Sequence, residues 1–170
     1  MTTKLGQPSS SGGSIYVRVL RVPTRSEIIR LASIFDSYRA HYGEVIDESQ
    51  TVAWLEANLI GGRLQAFTAE SGGEFIGFAL TMAVPASLRL GHFWQIRDLF
   101  VVPSHRRLGI GGALLESISA AAITAGASRL SLQTESDNTP ALRLYAKSGY
   151  TIVEGFHSLL LTLNPDIDEN

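Results

Sequence analysis

The sequence of 170 residues has no cysteine, and this absence excludes several kinds of chemistry. No disulfide framework, thiolate zinc site or cysteine nucleophile can form without a thiol. The four histidines lack metal-ligand spacing, so no metal is expected; they are His41, His92, His105 and His157.

An excess of one charge and long apolar runs are also missing. Lys and Arg number 14 against 16 Asp and Glu, and residues 5–163 carry 13 of each sign. A neutral body gives no bulk attraction for nucleic acid or for an anionic membrane, so neither partner is predicted. Apolar runs such as 120–123 fall far short of the roughly 20 residues of a membrane span. No apolar stretch resembles a secretory signal, and we therefore expect a cytoplasmic protein.

The residues that are present favour one globular domain. Hydrophobic residues make up 45% of the chain, which at 170 residues is enough for a single core. Residues 1–14 have the composition of a disordered tail, and residues 164–170 form a polar tail. The domain is predicted to span residues 15–163.

Hydrophobic periodicity predicts strands and helices in alternation. The expected strands are 15–22, 64–70, 74–84, 93–102, 129–134, 150–153 and 158–163. The expected helices are 26–42, 49–59, 110–125, and one that opens with Thr139 as N-cap and Pro140 behind it and ends at Gly149. This order predicts a mixed α/β sheet with βαβ crossovers in its second half.

The segment before the third expected helix is rich in glycine. Gly109, Gly111 and Gly112 leave free backbone N–H groups at the positive end of that helix, an arrangement that suits a diphosphate. The lysine of a Walker A loop is absent, and Leu114 stands where a dinucleotide fingerprint needs its third glycine. From the glycines alone, a helix start without any ligand is an equal alternative.

Three segments together carry a resemblance to a known family. Residues 106–111, Arg-Arg-Leu-Gly-Ile-Gly, match an Arg/Gln-x-x-Gly-x-Gly/Ala signature, and residues 98–103 read Asp-Leu-Phe-Val-Val-Pro. Residues 138–150 read Asn-Thr-Pro-Ala-Leu-Arg-Leu-Tyr-Ala-Lys-Ser-Gly-Tyr, with Tyr150 in place of a commoner Phe. In this order and separation they resemble the GNAT superfamily of N-acetyltransferases.

The resemblance covers about residues 15–163 and is strongest over 93–153. Residues 35–43 and the strand of Trp94 are similar to a small single-domain type related to histone and D-amino-acid N-acetyltransferases. The resemblance implies the GNAT fold. That fold is a mixed, mostly antiparallel sheet of about six to seven strands, with a splay between the fourth and fifth strands and about four helices around it.

The resemblance also implies acetyl-CoA as cosubstrate and direct transfer to an amine without an acyl-enzyme. In the family the glycine loop holds the pyrophosphate, and the strand before it pairs with the pantetheine arm. The residues expected to hold acetyl-CoA are Phe100, Val101, Val102, Arg106, Arg107, Leu108, Gly109, Ile110, Gly111, Gly112, Asn138 and Tyr145.

By the same resemblance, Tyr145 is the expected general acid near the CoA sulfur; the alternative is a core tyrosine. Asn138 would bond the CoA arm, or simply cap its helix. Asp98 lies mid-strand among apolar neighbours, where burial would raise its pKa, so it is a candidate general base or a structural carboxylate. Glu135 is the second candidate base, and a water chain is a third route.

The acceptor side is less defined by the sequence. Tyr38, His41, Tyr42 and Glu44 are expected to line an acceptor pocket, with plain helix packing as the alternative. The predicted activity is acetyl transfer to a primary amine of a small molecule or peptide. The alternatives are a non-catalytic acyl-CoA sensor and a transferase with another acyl donor. The apolar run 159–161 fits either a homodimer contact or a buried strand.

Overall fold

The computed structural model describes residues 3–4, by their backbone, together with 14–155 and 157–163. Most of the two expected tails, 1–14 and 164–170, lies outside these residues, so the domain limits stay predictions. Thr3–Lys4 forms a two-residue strand, β1, that pairs antiparallel with the start of the next strand.

The sheet follows the order of the chain. The four long strands run antiparallel to one another in sequence order: β2 (Tyr16–Leu20), β3 (Gln65–Ser71), β4 (Glu74–Ala86) and β5 (Gly91–Val101). The last strand, β6 (Leu130–Ser131), runs parallel to β5. The predicted crossover is confirmed, because α3 (Ile110–Thr124) connects these two parallel strands.

The other helices are α1 (Arg25–His41), α2 (Glu48–Leu59) and α4 (Thr139–Lys147). Within the described ranges, none of the helices is both long and apolar enough to cross a membrane.

The sheet separates two apolar layers. One layer lies beneath α1 and α2 and includes the buried side chains of Leu31 and Phe78. The other lies beneath α3 and includes Phe67 and Leu114. Alternating side chains of the central strands supply both layers, as expected for strands that are covered on both faces.

A buried carboxylate joins α1 to α2. Asp36 is buried on α1 and accepts a hydrogen bond from the Thr51 hydroxyl at 2.6 Å. Arg39, one turn further along α1, lies 3.2 Å from the same hydroxyl and 3.5 Å from the carboxylate. A buried carboxylate is stable only with such partners, so this cluster fixes how the two helices pack.

Two sequence expectations about the C-terminal third are wrong. Residues 150–153 and 158–163 form no strand, which leaves five strands after residue 14 rather than six to seven. Their aliphatic residues favour a strand, but a strand also needs a paired neighbour, and the described chain supplies none.

The cap of α4 also differs from the expectation. Asn138, not Thr139, is the N-cap, because its side-chain oxygen accepts the backbone N–H of Ala141 at 3.2 Å. Asn caps as well as Thr, and Pro140 still falls within the first turn, where its missing N–H costs nothing.

Candidate active site

The sheet opens between β5 and β6. Trp94 pairs with Leu130 and Gln95 with Ser131, and the ladder then ends. Residues 96–101 of β5 stay bonded to β4 on one side, while their other edge meets no strand in the described part of the chain. The opening lies where the resemblance implied a splay, between the fourth and fifth strands after residue 14.

A β-bulge in β5 decides which face of the sheet Asp98 occupies. Leu80 of β4 pairs with Asp98, but the next residue, Thr81, pairs with Ile96, so Arg97 is the extra residue. Ile96 packs in the layer beneath α3. Strict alternation would put Asp98 there too, and the extra residue turns it to the opposite face instead.

Side chains after the bulge confirm the change of face. Phe100, two residues beyond Asp98, is buried in the layer beneath α1 and α2. Leu99 and Val101 pack instead in the layer beneath α3, with Trp94 and Ile96. The bulge therefore moves a carboxylate from the α3 side to the α1 side of the sheet.

On the α1 side, Asp98 meets Tyr38. The Tyr38 hydroxyl donates to Oδ1 of Asp98 at 3.0 Å. The ring of Tyr38 lies 5.7 Å from the rings of both Phe78 and Phe100 and 5.1 Å from the ring of Tyr42. These contacts at ordinary aromatic distances hold the hydroxyl beside the carboxylate.

Burial raises the pKa of Asp98 above its ordinary value, although the Tyr38 hydrogen bond and the nearby Arg97 both act to lower it. The pKa of Tyr38 is also raised, first by burial and then by the negative charge of Asp98, so its hydroxyl keeps its proton. A carboxylate with a raised pKa at an open sheet edge has the properties of a general base.

The second candidate base, Glu135, has a different environment. It is exposed, and hydrogen bonds from its own backbone N–H and from the Asn138 side chain lower its pKa. A carboxylate that releases its proton so readily is a weaker proton acceptor than Asp98. Glu135 holds Asn138 at 3.3 Å, and the geometry therefore favours Asp98 as the base.

Tyr145 lies in the last turn of α4 with its side chain half-buried beneath α3. Burial raises the pKa of its hydroxyl, and Tyr42 and Glu135 raise it further. The pKa of Tyr42 is raised by burial and by the nearby negative charges of Glu135 and Asp98. The structure thus brings four predicted residues into one electrostatic neighbourhood, and Tyr38 joins them through Asp98.

The glycine loop has the backbone geometry of a ligand-binding turn. Arg107 and Gly109 adopt left-handed conformations with φ of 64° and 81°, and Gly109 is the N-cap of α3. No side chain of the described residues caps this helix, so the first N–H groups of α3 have no side-chain acceptor there. A non-glycine residue at positive φ is a strained position of the kind found at functional sites.

The two arginines of the loop differ in their contacts. The Nε of Arg106 donates to the carbonyl oxygen of Val101 at 3.0 Å, and its guanidinium lies 5.6 Å from the centre of the Phe100 ring. Arg106 therefore ties the loop to the end of β5. Arg107 is exposed and has no ion pair among the residues that the structure describes.

The predicted acceptor residues are only partly together. His41 contacts Tyr42 at 5.4 Å between ring centres, on the exposed end of α1. A cavity of about 380 Å³ lies between α1 and α2, and Glu44 lines it together with Phe35, Arg39, Gln50, Thr51 and Trp54. Phe35 touches Tyr38 at 5.8 Å, which connects this cavity to the Asp98 site.

Sequence reasoning missed Phe35 and Trp54 as cavity residues and Arg97 as the bulge. Trp54 stacks on Phe35 at 5.7 Å and is 45% exposed. The spacing of Phe35 and Trp54 indicates an apolar helix face, but it does not indicate the cavity beside that face. No sequence signal marks the bulge, because apolar residues continue on both sides of it along β5.

Comparisons with known proteins agree with this geometry. Residues 31–150 match the model of the Acetyltransferase (GNAT) family. The chain is 36% identical over 137 residues to an uncharacterized N-acetyltransferase, YhfO, of Bacillus subtilis strain 168, covering 81% of this chain and 92% of the relative.

Two solved structures share the fold. One, a probable acetyltransferase, superposes with a TM-score of 0.80 at 23% identity, covering 87% of this chain and 97% of that one. The other is the aminoglycoside N-acetyltransferase AAC(6')-Iy in complex with CoA, with a TM-score of 0.73 at 16% identity over 91% and 99% of the two chains. At these identities the likeness concerns the fold alone.

Proposed function

The chain belongs to the acetyltransferase (GNAT) family and is an acyltransferase, and we propose that it transfers an acetyl group from acetyl-CoA directly to a primary amine of a small molecule or peptide. The observation that carries this proposal is the combination of a free β5 edge, an uncapped glycine-rich helix start and a carboxylate of raised pKa beside them.

The chain offers suitable groups for each part of acetyl-CoA. The free edge over residues 96–101 presents backbone N–H and C=O groups to an extended amide chain such as pantetheine. The first N–H groups of α3 and the exposed Arg107 would hold the diphosphate. A Cβ at Gly112 would meet nothing within 4 Å, so the helix start has open space around it.

When bound, acetyl-CoA supplies an acetyl group activated as a thioester. The acceptor must be a neutral amine to attack the carbonyl carbon. An amine with pKa near 10.4 is neutral in roughly one of 2,500 molecules at pH 7, a penalty of about 4.6 kcal/mol. As the neutral amine attacks, Asp98 is proposed to accept the proton that leaves its nitrogen, directly or through one water. The proton that an ammonium loses beforehand goes to solvent.

As the carbon–nitrogen bond forms, the carbon–sulfur bond breaks and the sulfur needs a proton. Tyr145 is proposed to donate a hydrogen bond there and to complete the transfer as negative charge develops. Its raised pKa favours the hydrogen bond over early proton release. Asp98 gains one proton and Tyr145 loses one, so exchange with solvent restores both groups after each turnover.

The body of the acceptor is proposed to lie towards the cavity between α1 and α2. The cavity is lined mainly by apolar atoms of Phe35 and Trp54, and its one arginine, Arg39, is already bound to Asp36 and Glu44. An acceptor with an apolar or aromatic part therefore fits this space better than one that brings a carboxylate.

Calorimetric titration with acetyl-CoA tests the first step of the proposal. Binding in the micromolar range is expected, and no heat at millimolar ligand would contradict an acetyl-CoA enzyme. Titrations with longer acyl-CoA donors separate a transferase that uses a different acyl group. Thiol release on mixing with acetyl-CoA and a panel of primary amines then distinguishes an enzyme from a sensor, which releases none.

We also propose that two copies associate through the C-terminal segment. Leu159, Leu160 and Leu161 are between 80% and 92% exposed, although their sequence favours a buried strand. A second copy would offer this segment an unpaired sheet edge. Light scattering after gel filtration should give a dimer that Leu160→Asp converts to a monomer; a wild-type monomer at high concentration would contradict the proposal.

A further inference from the structure

We infer that Tyr38 is a positioning residue, whose hydroxyl fixes the Asp98 carboxylate so that its second oxygen is left for the acceptor amine or for a bridging water. This inference rests on the proposed function, in which Asp98 is the base. It changes the expectation that Tyr38 lines the acceptor pocket, because the polar atom of Tyr38 is committed to Asp98.

The first support is the pattern of hydrogen bonds at Asp98. Oδ1 accepts from Tyr38 at 3.0 Å, and no other donor bonds to this carboxylate within the described chain. Asp98 makes no salt bridge there either, so it is not a structural ion pair. One oxygen is therefore held and the other has no partner.

The second support is that two separate elements must cooperate to make this contact. The bulge at Arg97 turns Asp98 to the α1 face, and α1 presents Tyr38 at that point. The Tyr38 ring lies between Phe35, Phe78 and Phe100, at centre distances of 5.7 to 5.8 Å. A ring clamped in this way cannot turn its hydroxyl elsewhere without disturbing the core.

The charged and titratable neighbours of Asp98 leave Tyr38 as its one hydrogen-bond donor within the described chain. Tyr38 and Tyr42 face it from the end of α1, and Arg97 adjoins it on β5. Glu135 shares both tyrosines as neighbours, and the facing residue on β4 is the neutral Leu80. Among these groups Tyr38 alone touches the carboxylate, so its hydrogen bond is the contact that a substitution can remove cleanly.

The test is a carbon-13 NMR titration of the aspartate carboxyl groups, with Asp98→Asn to assign the Asp98 signal. This readout needs no acceptor. Tyr38→Phe keeps the ring and removes the donor, so the Asp98 midpoint should move to higher pH. Fluorotyrosine at position 38 is a stronger donor and should move the midpoint to lower pH. Tyr42→Phe, the matched control, removes a neighbouring phenol without removing a bond to Asp98 and should leave the midpoint in place.

Kinetics give a second readout. Tyr38→Phe should lower kcat about tenfold, as expected for loss of one hydrogen bond to a charged group, with acetyl-CoA affinity unchanged. The acid limb of the kcat/KM profile should move in the same direction as the NMR midpoint. A purely structural tyrosine would not move this limb.

The outcomes distinguish a failure of the Asp98 base assignment from a failure of the positioning role of Tyr38. If Asp98→Asn retains full turnover, the base assignment fails and this inference fails with it. If Asp98→Asn is inactive but Tyr38→Phe leaves both the NMR midpoint and the acid limb unchanged, the inference alone is overturned. Shifts in opposite directions for the two Tyr38 replacements would support it.

Discussion

A Cβ atom on Gly111 would lie 2.9 Å from Cδ2 of Leu144, so α3 and α4 approach each other through a position that only glycine fits without adjustment. Gly111 therefore serves helix packing beside Tyr145. Its neighbour Gly112 differs, because a Cβ there would meet nothing within 4 Å. The two adjacent glycines at the start of α3 thus have separate reasons to be glycine.

The first prediction concerns Gly112→Ala. Replacing a helical glycine with alanine should raise the free energy of unfolding by about 0.5–1 kcal/mol, because the unfolded chain loses freedom. The same methyl group would occupy space beside the helix start, so acetyl-CoA should bind at least tenfold more weakly. Thermal melting and calorimetric titration measure the two effects.

Ser119→Ala is the matched control, because it improves helix propensity near the middle of α3, away from the loop. It should raise the melting temperature and leave acetyl-CoA affinity unchanged. Unaltered affinity in Gly112→Ala as well would contradict a diphosphate site at this helix start.

The second prediction concerns Tyr145→Phe. Loss of the hydroxyl should lower kcat about 10²-fold, within the range for a general acid, and largely spare acetyl-CoA affinity. Steady-state kinetics at saturating donor provide the measurement. An unchanged kcat would remove Tyr145 from the acid role.

The third prediction concerns Tyr150→Phe, which is the control for Tyr145→Phe. The Tyr150 hydroxyl is buried and has no hydrogen-bond partner among the described residues, and its ring lies 5.8 Å from the ring of Tyr145. Tyr150→Phe should therefore raise the free energy of unfolding by about 1 kcal/mol, since a buried unpaired hydroxyl is costly. It should leave kcat unchanged. Chemical denaturation measures the free energy of unfolding, and a decrease would contradict a hydroxyl that is buried without a partner.

The fourth prediction is a pH-dependent gain of stability in Asp98→Asn. The pKa of Asp98 is raised in the folded state, so ionisation disfavours folding at pH values above the unfolded pKa. Asp98→Asn should melt at higher temperature than the wild type at pH 7, and the difference should fade as the pH falls below about 4. Asp137→Asn removes the same charge at an exposed site and controls for net charge.

Equal melting temperatures for Asp98→Asn and the wild type at pH 7 would show that Asp98 carries no burial penalty. The expected gain, combined with loss of turnover, is a trade of stability for activity at one residue.

The fifth prediction tests the α1–α2 contact. Thr51→Val removes the hydroxyl that donates to the buried Asp36 carboxylate at 2.6 Å. Loss of a hydrogen bond to a buried charge should lower the free energy of unfolding by about 1.5–3 kcal/mol. Thr51→Ser keeps the donor and should lose less. Urea denaturation of both variants provides the comparison.

Much of the fold was predictable because local pattern and tertiary structure agree. The helix predicted over 110–125 ends one residue earlier in the structure, and the strand predicted over 74–84 runs two residues further. Both elements carry strong apolar periodicity and lie against a large core. The open sheet edge also lies in the strand of residues 98–103, where the family resemblance implied a splay.

The parts that were not predictable depend on partners that are distant in sequence. Residues 158–163 look like a strand, yet no neighbour pairs with them in the described chain. Asp98 and Tyr38 are 60 residues apart, and their hydrogen bond follows from the packing of α1 on the sheet. Spacing can identify a candidate carboxylate, but not the side chain that holds it.

The bulge at Arg97 places one extra residue between Ile96 and Asp98. This extra residue decides which side of the sheet carries the carboxylate. Deleting Arg97 would make the alternation regular, with Trp94 and Ile96 still in the layer beneath α3 and Asp98, now directly after Ile96, still on the α1 side. Regular pairing with Arg97 still present would instead return Asp98 to the α3 side, so the bulge affects the chemistry of the site more than the fold. Related chains without the extra residue would need their carboxylate one position earlier to reach the same tyrosine.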